Sequence, residues 1–577
     1  MTKKHIFYSF HLFCLSLLMI STQHSMAQAT KKVEFIGASR TFLTNNQLVV
    51  NDSLPDTTTV KRNSGGYSLI DLGVNIAPNK STEIMGMFRI RNAYGGFWGS
   101  GVDFQVRQLW VKGVIANVVR YQLGDLNLKQ TPYTFYNHNE DRILKNPDVF
   151  SLQADIVDYE KFYQKNTWRQ QGASIDFGFN FAKYIKEITF NGFVTRLNMT
   201  NFGDVPERLF AGGNVQLIQG KNVRLGYHYT NLFDVVGTIL DSNAYANRVQ
   251  SGVLAVNHSI KDWNLRLDAE AGNSRASYTR DTAAPNMRDF FVNTSLTVTW
   301  TPYKSFLKVG YMNVGPDFRS AGAQSKRINY GGLPDFYNRY GNNQTVRDLS
   351  LLDVMRNENI YNTSISSNVM AYNPMINNVL PYGTATFNRA GFYGQLQFST
   401  PKDWFVLNID NYTLSEIRGQ GTKIPKNYML NKAEFTLNLH KVLRSQRMFK
   451  VTGGFAMQNT RRKSELDFER IDLNSTNLSA GITYEIFKQF DVLGGAMFLT
   501  AKGNEYNAER NKYSQVLDLN AYQVDTRQAI YSGGLRFRFT EKIYLGAFYQ
   551  HFQYQNKLKL TPDYNINQVL VIYNMTF

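Results

Sequence analysis

The sequence predicts an all-β chain: one transmembrane antiparallel β-barrel of about 22 strands, within a range of about 16 to 24, with short turns at one rim and long loops at the other. Three observations carry this expectation. Segments of period-two alternation recur along the whole chain, apolar on one side and polar or charged on the other. Aromatic residues are abundant, 40 Phe and 34 Tyr against 14 Pro, yet the mean hydropathy is only −0.35. Val569, Val571, Tyr573, Met575 and Phe577 form an apolar row on one face of a last strand. Spanning strands hide half their residues from lipid, so such a chain can be polar on average.

The first residues read as an export signal. Lys3 and Lys4 precede an apolar stretch, Leu12 to Ile20, too short to remain as a spanning helix. Ser25-Met26-Ala27 offers small residues where a signal peptidase reads them, so residues 1–27 are expected to be removed and Gln28 to lead the mature chain. The only cysteine, Cys14, follows Leu12-Phe13 rather than small residues, which predicts no lipid anchor. The mature chain then has no thiol and no disulfide. Residues 28–577 show no linker, low-complexity tract or block of like charge, and are read as a single barrel domain.

A spanning strand needs about 9–11 residues. Ala173, Ile175, Phe177 and Phe179 alternate with Ser174, Asp176, Gly178 and Asn180. Val223, Leu225, Tyr227 and Tyr229 alternate with Arg224, Gly226 and His228. Trp263, Leu265, Leu267, Ala269 and Ala271 alternate with Asn264, Arg266, Asp268 and Glu270. Ala433, Phe435, Leu437 and Leu439 alternate with Glu434, Thr436, Asn438 and His440. Leu478, Ala480, Ile482, Tyr484 and Ile486 alternate with Ser479, Gly481, Thr483 and Glu485, and Leu535, Phe537 and Phe539 with Arg536 and Arg538.

Short polar turns pair these strands near Pro78-Asn79-Lys80, Ala116-Asn117, Lys183, Gly220-Lys221, Lys261-Asp262, Pro302-Tyr303-Lys304, Pro401-Lys402-Asp403, Lys488-Gln489 and Glu541-Lys542, with a longer one near Arg444-Ser445-Gln446. About ten hairpins result; a closing strand from Ile566 and a weaker first strand, Val33 to Phe42, complete an even count. Only Gln28 to Lys32 precede the first strand, so no N-terminal plug is expected.

The longest connections run over residues 129–170 and 315–388. Loops of that length are usually functional or disordered. The second carries Arg319, Lys326, Arg327, Arg339, Arg347 and Arg356 beside Asp317, Asp335, Asp348, Asp353 and Glu358. Its Leu351-Leu352 and Val354-Met355 suggest a short packed helix. Two readings stay open for it: a constriction folded into the lumen, or a surface cap that docks a partner.

The formal charge is +18. Arg224, Arg266, Arg536 and Arg538 fall at lumen parity, with Asp268, Glu270, Glu434 and Glu485 placed to offset part of their charge. A cationic lumen favours anions, mildly where carboxylates neutralise it. The alternative is that Lys and Arg contact the phosphates and carboxylates of surface glycolipid and the headgroup zone. The basic residues are dispersed rather than gathered in a patch, which argues against nucleic acid. His138, His228, His258, His440 and His551 have no metal-ligand spacing and no nucleophile motif around them, so neither an enzyme nor a cofactor is expected. Gly95-Gly96-Phe97-Trp98-Gly99-Ser100-Gly101 reads as a tight loop rather than a phosphate cradle, because no helix pattern follows it.

The export signal, the hairpins and the terminal Phe577 make nearly the whole chain resemble a porin-like outer-membrane barrel of Gram-negative bacteria, and the composition resembles proteins of the Bacteroidota. The resemblance implies residence in the outer membrane, with short periplasmic turns and long extracellular loops. It also implies that the row Val569, Val571, Tyr573, Met575 and Phe577 is read by the barrel-assembly machinery during insertion. Asp52-Ser53-Leu54, Asp56-Thr57-Thr58 and Asp281-Thr282-Ala283 are similar to that group's O-glycosylation pattern, which makes Ser53, Thr57 and Thr282 candidate acceptors in outer loops. Two functions are compatible with these features. One is a passive channel for small hydrophilic solutes, mildly anion-selective. The other is a non-enzymatic subunit of a larger complex for barrel assembly, protein secretion or nutrient uptake, partnered by other barrels and surface lipoproteins, its lumen closed by loops.

Overall fold

A computed structural model describes residues 32–50, 62–94, 101–138, 143–220, 222–238, 243–279, 287–328, 351, 360–511, 515–559 and 563–577. The expected leader therefore lies outside the described residues. Its strands form one 22-stranded sheet in which each is antiparallel to its neighbours in chain order. The first strand, β1 (Lys32–Val50), pairs with the last, β23 (Tyr564–Thr576), from Ala38↔Thr576 to Val50↔Tyr564. That pairing closes the ring and removes the sheet's edges.

β1 is longer than the Val33–Phe42 segment expected. It also pairs with β2 (Arg62–Asn79), from Lys32↔Ala77 to Gln47↔Arg62. β3 (Thr82–Ala93), β4 (Val102–Ile115), β5 (Val119–Leu128) and β6 (Trp168–Asn180) follow around the wall. One short strand, β14 (Pro381–Thr384), lies within the second long connection; β13 (Ser305–Val314) pairs past it with β15 (Arg389–Ser399). The longest strand, β21 (Val516–Arg538), has 23 residues. Such strands exceed what a bilayer requires and carry the wall beyond it.

The alternation sorts side chains as the sequence predicts. Leu478, Ile482, Leu535, Phe537, Phe539 and Leu545 are exposed on the outer face. Trp263, Trp300 and Tyr303 stack at the short-turn rim, with ring centroids 5.8 and 3.9 Å apart. Aromatic groups at that level mark a membrane interface. No helix among the described residues is long and apolar enough to cross a membrane. A closed barrel with an apolar outer band is an integral membrane structure of the outer-membrane type, because pairing of the first strand with the last leaves no terminal sheet edge in lipid.

The lumen face is also packed. Helix α1 (Asp148–Glu160), in the 129–170 connection, buries Val149, Phe150, Leu152 and Ile156 against Leu493, Met497, Ile530, Phe548, Leu570 and Ile572 of the wall. These wall residues alternate with the lipid-facing ones, so the helix lies inside the barrel. The helix expected near Leu351–Met355 lies largely outside the described residues; Leu351 itself is buried, its amide donating to Gln528 Oε1 at 3.1 Å.

Candidate functional site: a charged lumen crossed by two loops

Both long connections fold inward. The first is anchored at each end of α1. At its N-terminus Asp148 accepts hydrogen bonds from Lys450 Nζ at 2.6 Å and Thr483 Oγ1 at 2.7 Å. A carboxylate there also complements the helix dipole. Burial opposes the charge, but Lys450 and Thr483 outweigh it and hold Asp148 below its ordinary range. The preceding segment can press against the wall because Gly481 leaves room: a Cβ there would lie 2.5 Å from Pro147 Cβ.

At the other end of α1, Glu160 meets three arginines from three strands. Arg40 of β1 donates to it at 2.9 Å, Arg107 of β4 at 3.2 Å, and Arg89 of β3 makes a shorter contact still. Arg89 also grips Asp71 of β2 through two bonds of 2.7 Å, and the Tyr159 hydroxyl donates to the same carboxylate at 2.5 Å. Arg107 reaches the lumen through a β-bulge. The register passes from Met87↔Gln108 to Phe88↔Val106 and leaves Arg107 unpaired on the wall. Burial disfavours the charge on Glu160, but the hydrogen bonds and charges of Arg89, Arg107 and Arg40 lower its pKa to about 2.

The second connection packs beside the first. Arg327 donates to Asp158 of α1 at 2.5 Å and lies between the rings of Tyr163 and Tyr361, at 4.3 and 4.5 Å. Lys326 Nζ donates to the Pro381 carbonyl at 2.8 Å, and Arg319 sits 4.5 Å from the Phe387 ring centre. Arg319, Lys326 and Arg327 are thus buried ties between loop segments. Aromatic faces and carbonyls replace the water they give up. Arg339, Arg347 and Arg356 lie outside the described residues, as do Ser53, Thr57 and Thr282.

Toward the short-turn rim a cavity of about 390 Å³ is lined by Arg224, Arg266, Asp268, Glu270, His228 and Lys308. Arg266 pairs with Asp268 at 2.8 Å, while Glu270 Oε1 is buried with no hydrogen-bond partner. Farther round, Arg538 bridges Glu485 at 2.9 Å and Asp491 at 2.8 Å; Arg536 shares Asp491. Glu434 pairs with Lys432 at 2.9 Å, not with an arginine. The candidate lumen charges other than Glu434 therefore gather in two groups near one rim. On the last strand, Val569 and Phe577 are exposed outward, while Leu570 and Ile572 face α1.

The cluster around Glu160 has no counterpart in the sequence reading. Asp71 and Arg89 sit at the polar positions of cleanly alternating strands, with Ile70, Leu72, Phe88 and Ile90 exposed on the other face, but alternation does not say which loop residue meets them, and the bulge at Arg107 breaks the period on β4. The charge-bearing positions at equal height on successive strands were the available signal.

No protein-family model matches the chain, and no curated protein matches it. Solved structures similar to it include OccK5 (OpdH) of Pseudomonas aeruginosa, at 10% identity and a TM-score of 0.35, covering 94% of this chain and 98% of that one. OccK8 (OprE) of the same organism has 10% identity and a TM-score of 0.36, over 95% and 98% of the two chains. A BenF-like porin from Pseudomonas fluorescens Pf-5 has 8% identity and a TM-score of 0.35, over 95% and 99%. Likeness at this distance assigns the chain neither a family nor a solute, and the closed barrel rests on its own strand pairing.

Proposed function

We propose that the chain is an outer-membrane channel for small hydrophilic solutes, narrowed by its two inward loops and mildly anion-selective. The observation that supports this most is the charged cavity at the short-turn rim, where Arg224, Arg266 and Lys308 share one stretch of the lumen wall with Asp268 and Glu270. Opposed charges in a confined space select by polarity and size rather than by one tight site, which suits passive diffusion. The excess of arginine and lysine over carboxylate at that level gives the anion preference its sign.

A second reading draws on a different observation. Phe135, Phe150 and Phe318 are fully buried in loop segments packed against the lumen face of the wall. A barrel sealed this way would serve as a non-enzymatic subunit of a larger outer-membrane assembly with other barrels or surface lipoproteins. Single-channel recording of the purified barrel under a salt gradient separates the two. Stable conductance with a reversal potential of anion-selective sign supports the channel. Silence from folded, heat-modifiable protein rejects it in favour of the sealed subunit.

A further inference from the structure

The barrel wall is not uniformly laddered. β4 and β5 pair over six rungs only, from Ile115↔Val119 beside the short turn to Trp110↔Gly124. Each strand stays paired on its other side well beyond that point, β4 with β3 up to Asn92↔Val102 and β5 with β6 up to Leu128↔Trp168. Among the described residues, Val102–Leu109 of β4 and Asp125–Leu128 of β5 therefore each present one strand edge without a strand partner. The split occupies the long-loop half of the wall.

Its cause is local. Gly124 has φ +95°, a backbone conformation that carries β5 away from β4. A Cβ there would also meet the Leu109 carbonyl oxygen at 2.4 Å. The Arg107 bulge shifts β4 at the same level. Side chains then take over from the ladder. The Leu109 amide donates to Asp125 Oδ2 at 2.6 Å, and Arg169 donates to the Arg107 carbonyl. Arg169 also pairs with Asp125 at 3.1 Å and lies over the Phe162 ring at 3.6 Å.

Behind the split is a cavity of about 470 Å³ whose lining includes Arg107, Lys161, Arg169, Arg196 and Arg327 and the carboxylate of Asp125; Glu160, Asp158 and Glu207, which pair with Arg107, Arg327 and Arg196, stand behind that lining. The buried Asn137 Oδ1 lines it without a hydrogen-bond partner. In front of the split the outer face is apolar: Phe104 is 67% exposed, Val106 58%, Leu109 56% and Leu123 50%. Open sheet edges do not persist in hydrocarbon unless they border a polar cavity. An occupant that satisfies both sides must carry an apolar part and an anionic part.

We propose that this seam is a side portal at which an anionic lipid of the outer leaflet docks, with its acidic headgroup in the arginine-lined cavity and its acyl chain along Val106, Leu109 and Leu123. This goes beyond the diffusion of hydrophilic solutes through the lumen and holds whether or not the lumen conducts.

The test places the barrel in phosphatidylcholine nanodiscs. A Cys14→Ala background leaves Val106→Cys as the single thiol, labelled with bimane beside the portal; Leu307→Cys, on the outer face of β13, is the control position. The probe is dodecyl phosphate, compared with dodecyl phosphocholine and inorganic phosphate. The expected result is a saturable emission change at position 106 and not at 307. It should weaken at least tenfold in Arg196→Gln, about the loss expected for one charge-assisted contact, and require at least a hundredfold more inorganic phosphate. Arg196 is half-exposed, so its variant preserves the barrel; Lys161→Gln provides a second variant off the wall. Equal response to dodecyl phosphocholine, equal response to inorganic phosphate, equal response at both labels, or no response overturns the proposal. The last result leaves the free edge to a strand-donating protein partner.

Discussion

Arg40 of β1 and Glu160 of α1 meet at 2.9 Å although 120 residues separate them in the chain. The contact joins the strand that closes the barrel to the helix that narrows it. With Arg89 and Arg107 it fixes one end of α1 to β1, β3 and β4, and Asp71 adds the intervening β2, so the lumen loop and the wall form one charge-tied unit.

Glu160→Gln should release that end. The substitution leaves Arg40, Arg89 and Arg107 buried beside a neutral side chain, and breaking a buried ion pair costs about 3–5 kcal/mol. Hydrogen exchange across 148–160 should rise by orders of magnitude, with no change in strands far round the wall. If the lumen conducts, single-channel current should rise as well. Unchanged exchange would show that the apolar face of α1 suffices to hold it.

Acid should do the same without mutation. The folded pKa of Glu160, about 2, lies below its ordinary value of 4.5. The stabilisation is therefore complete above about 4.5 and is lost as pH falls from 4.5 toward 2. Its size is about 3 kcal/mol. Asp148 is lowered too, so it acts with the same sign. Exchange in α1 should be constant from pH 7 to 5 and accelerate below about 4, once corrected for intrinsic rates. A loosening between pH 7 and 5 would require a different titrating group.

Asp148→Asn should have a smaller effect. The Lys450–Asp148 pair is about one-fifth exposed, and the amide can still accept from Thr483. Loss of about 1 kcal/mol is expected. The helix should fray from its first turn and stay docked at Glu160, giving exchange that rises in residues 148–152 before 156–160.

The strands were legible because lipid and lumen impose opposite polarity on alternate residues; Leu478 to Ile486 and Trp263 to Ala271 face as their alternation requires. The lumen contents were not. Residues 148–160 carry helix-forming and apolar residues, but nothing in their spacing tells whether that face meets a lumen wall or a partner. Loop ties such as Arg327–Asp158 join residues 169 apart in the chain, a pairing that only the closed ring creates. The seam at Gly124 and Arg107 was hidden for a related reason: a bulge and a left-handed glycine read locally as imperfect alternation.

Closure can be tested at Gly37 and Phe577, which exchange backbone hydrogen bonds of 2.9 and 3.0 Å. A Cβ on Gly37 would lie 2.2 Å from the Asp71 carbonyl oxygen and 2.7 Å from the Phe577 ring. Gly37→Val should leave most of the protein at unfolded mobility on unheated gels. Phe577→Ala removes the terminal aromatic but no backbone bond. It should lower the yield of inserted barrel severalfold, while barrels that do form resist heat normally. Equal yield would remove Phe577 from the proposed insertion signal.

The charge groups near the short-turn rim make the last prediction. Arg224 is exposed to the lumen, whereas Arg266 is held by Asp268. A free lumen cation acts on passing ions through the full local field; a paired one is largely cancelled. Arg224→Gln should therefore shift the reversal potential toward cations more than Arg266→Gln does. Asp268→Asn, which frees Arg266, should shift it toward anions. Because screening is strong at high salt, all three shifts should shrink between about 0.1 M and 1 M electrolyte. Identical reversal potentials in the three variants would place the selectivity-setting charges elsewhere in the lumen.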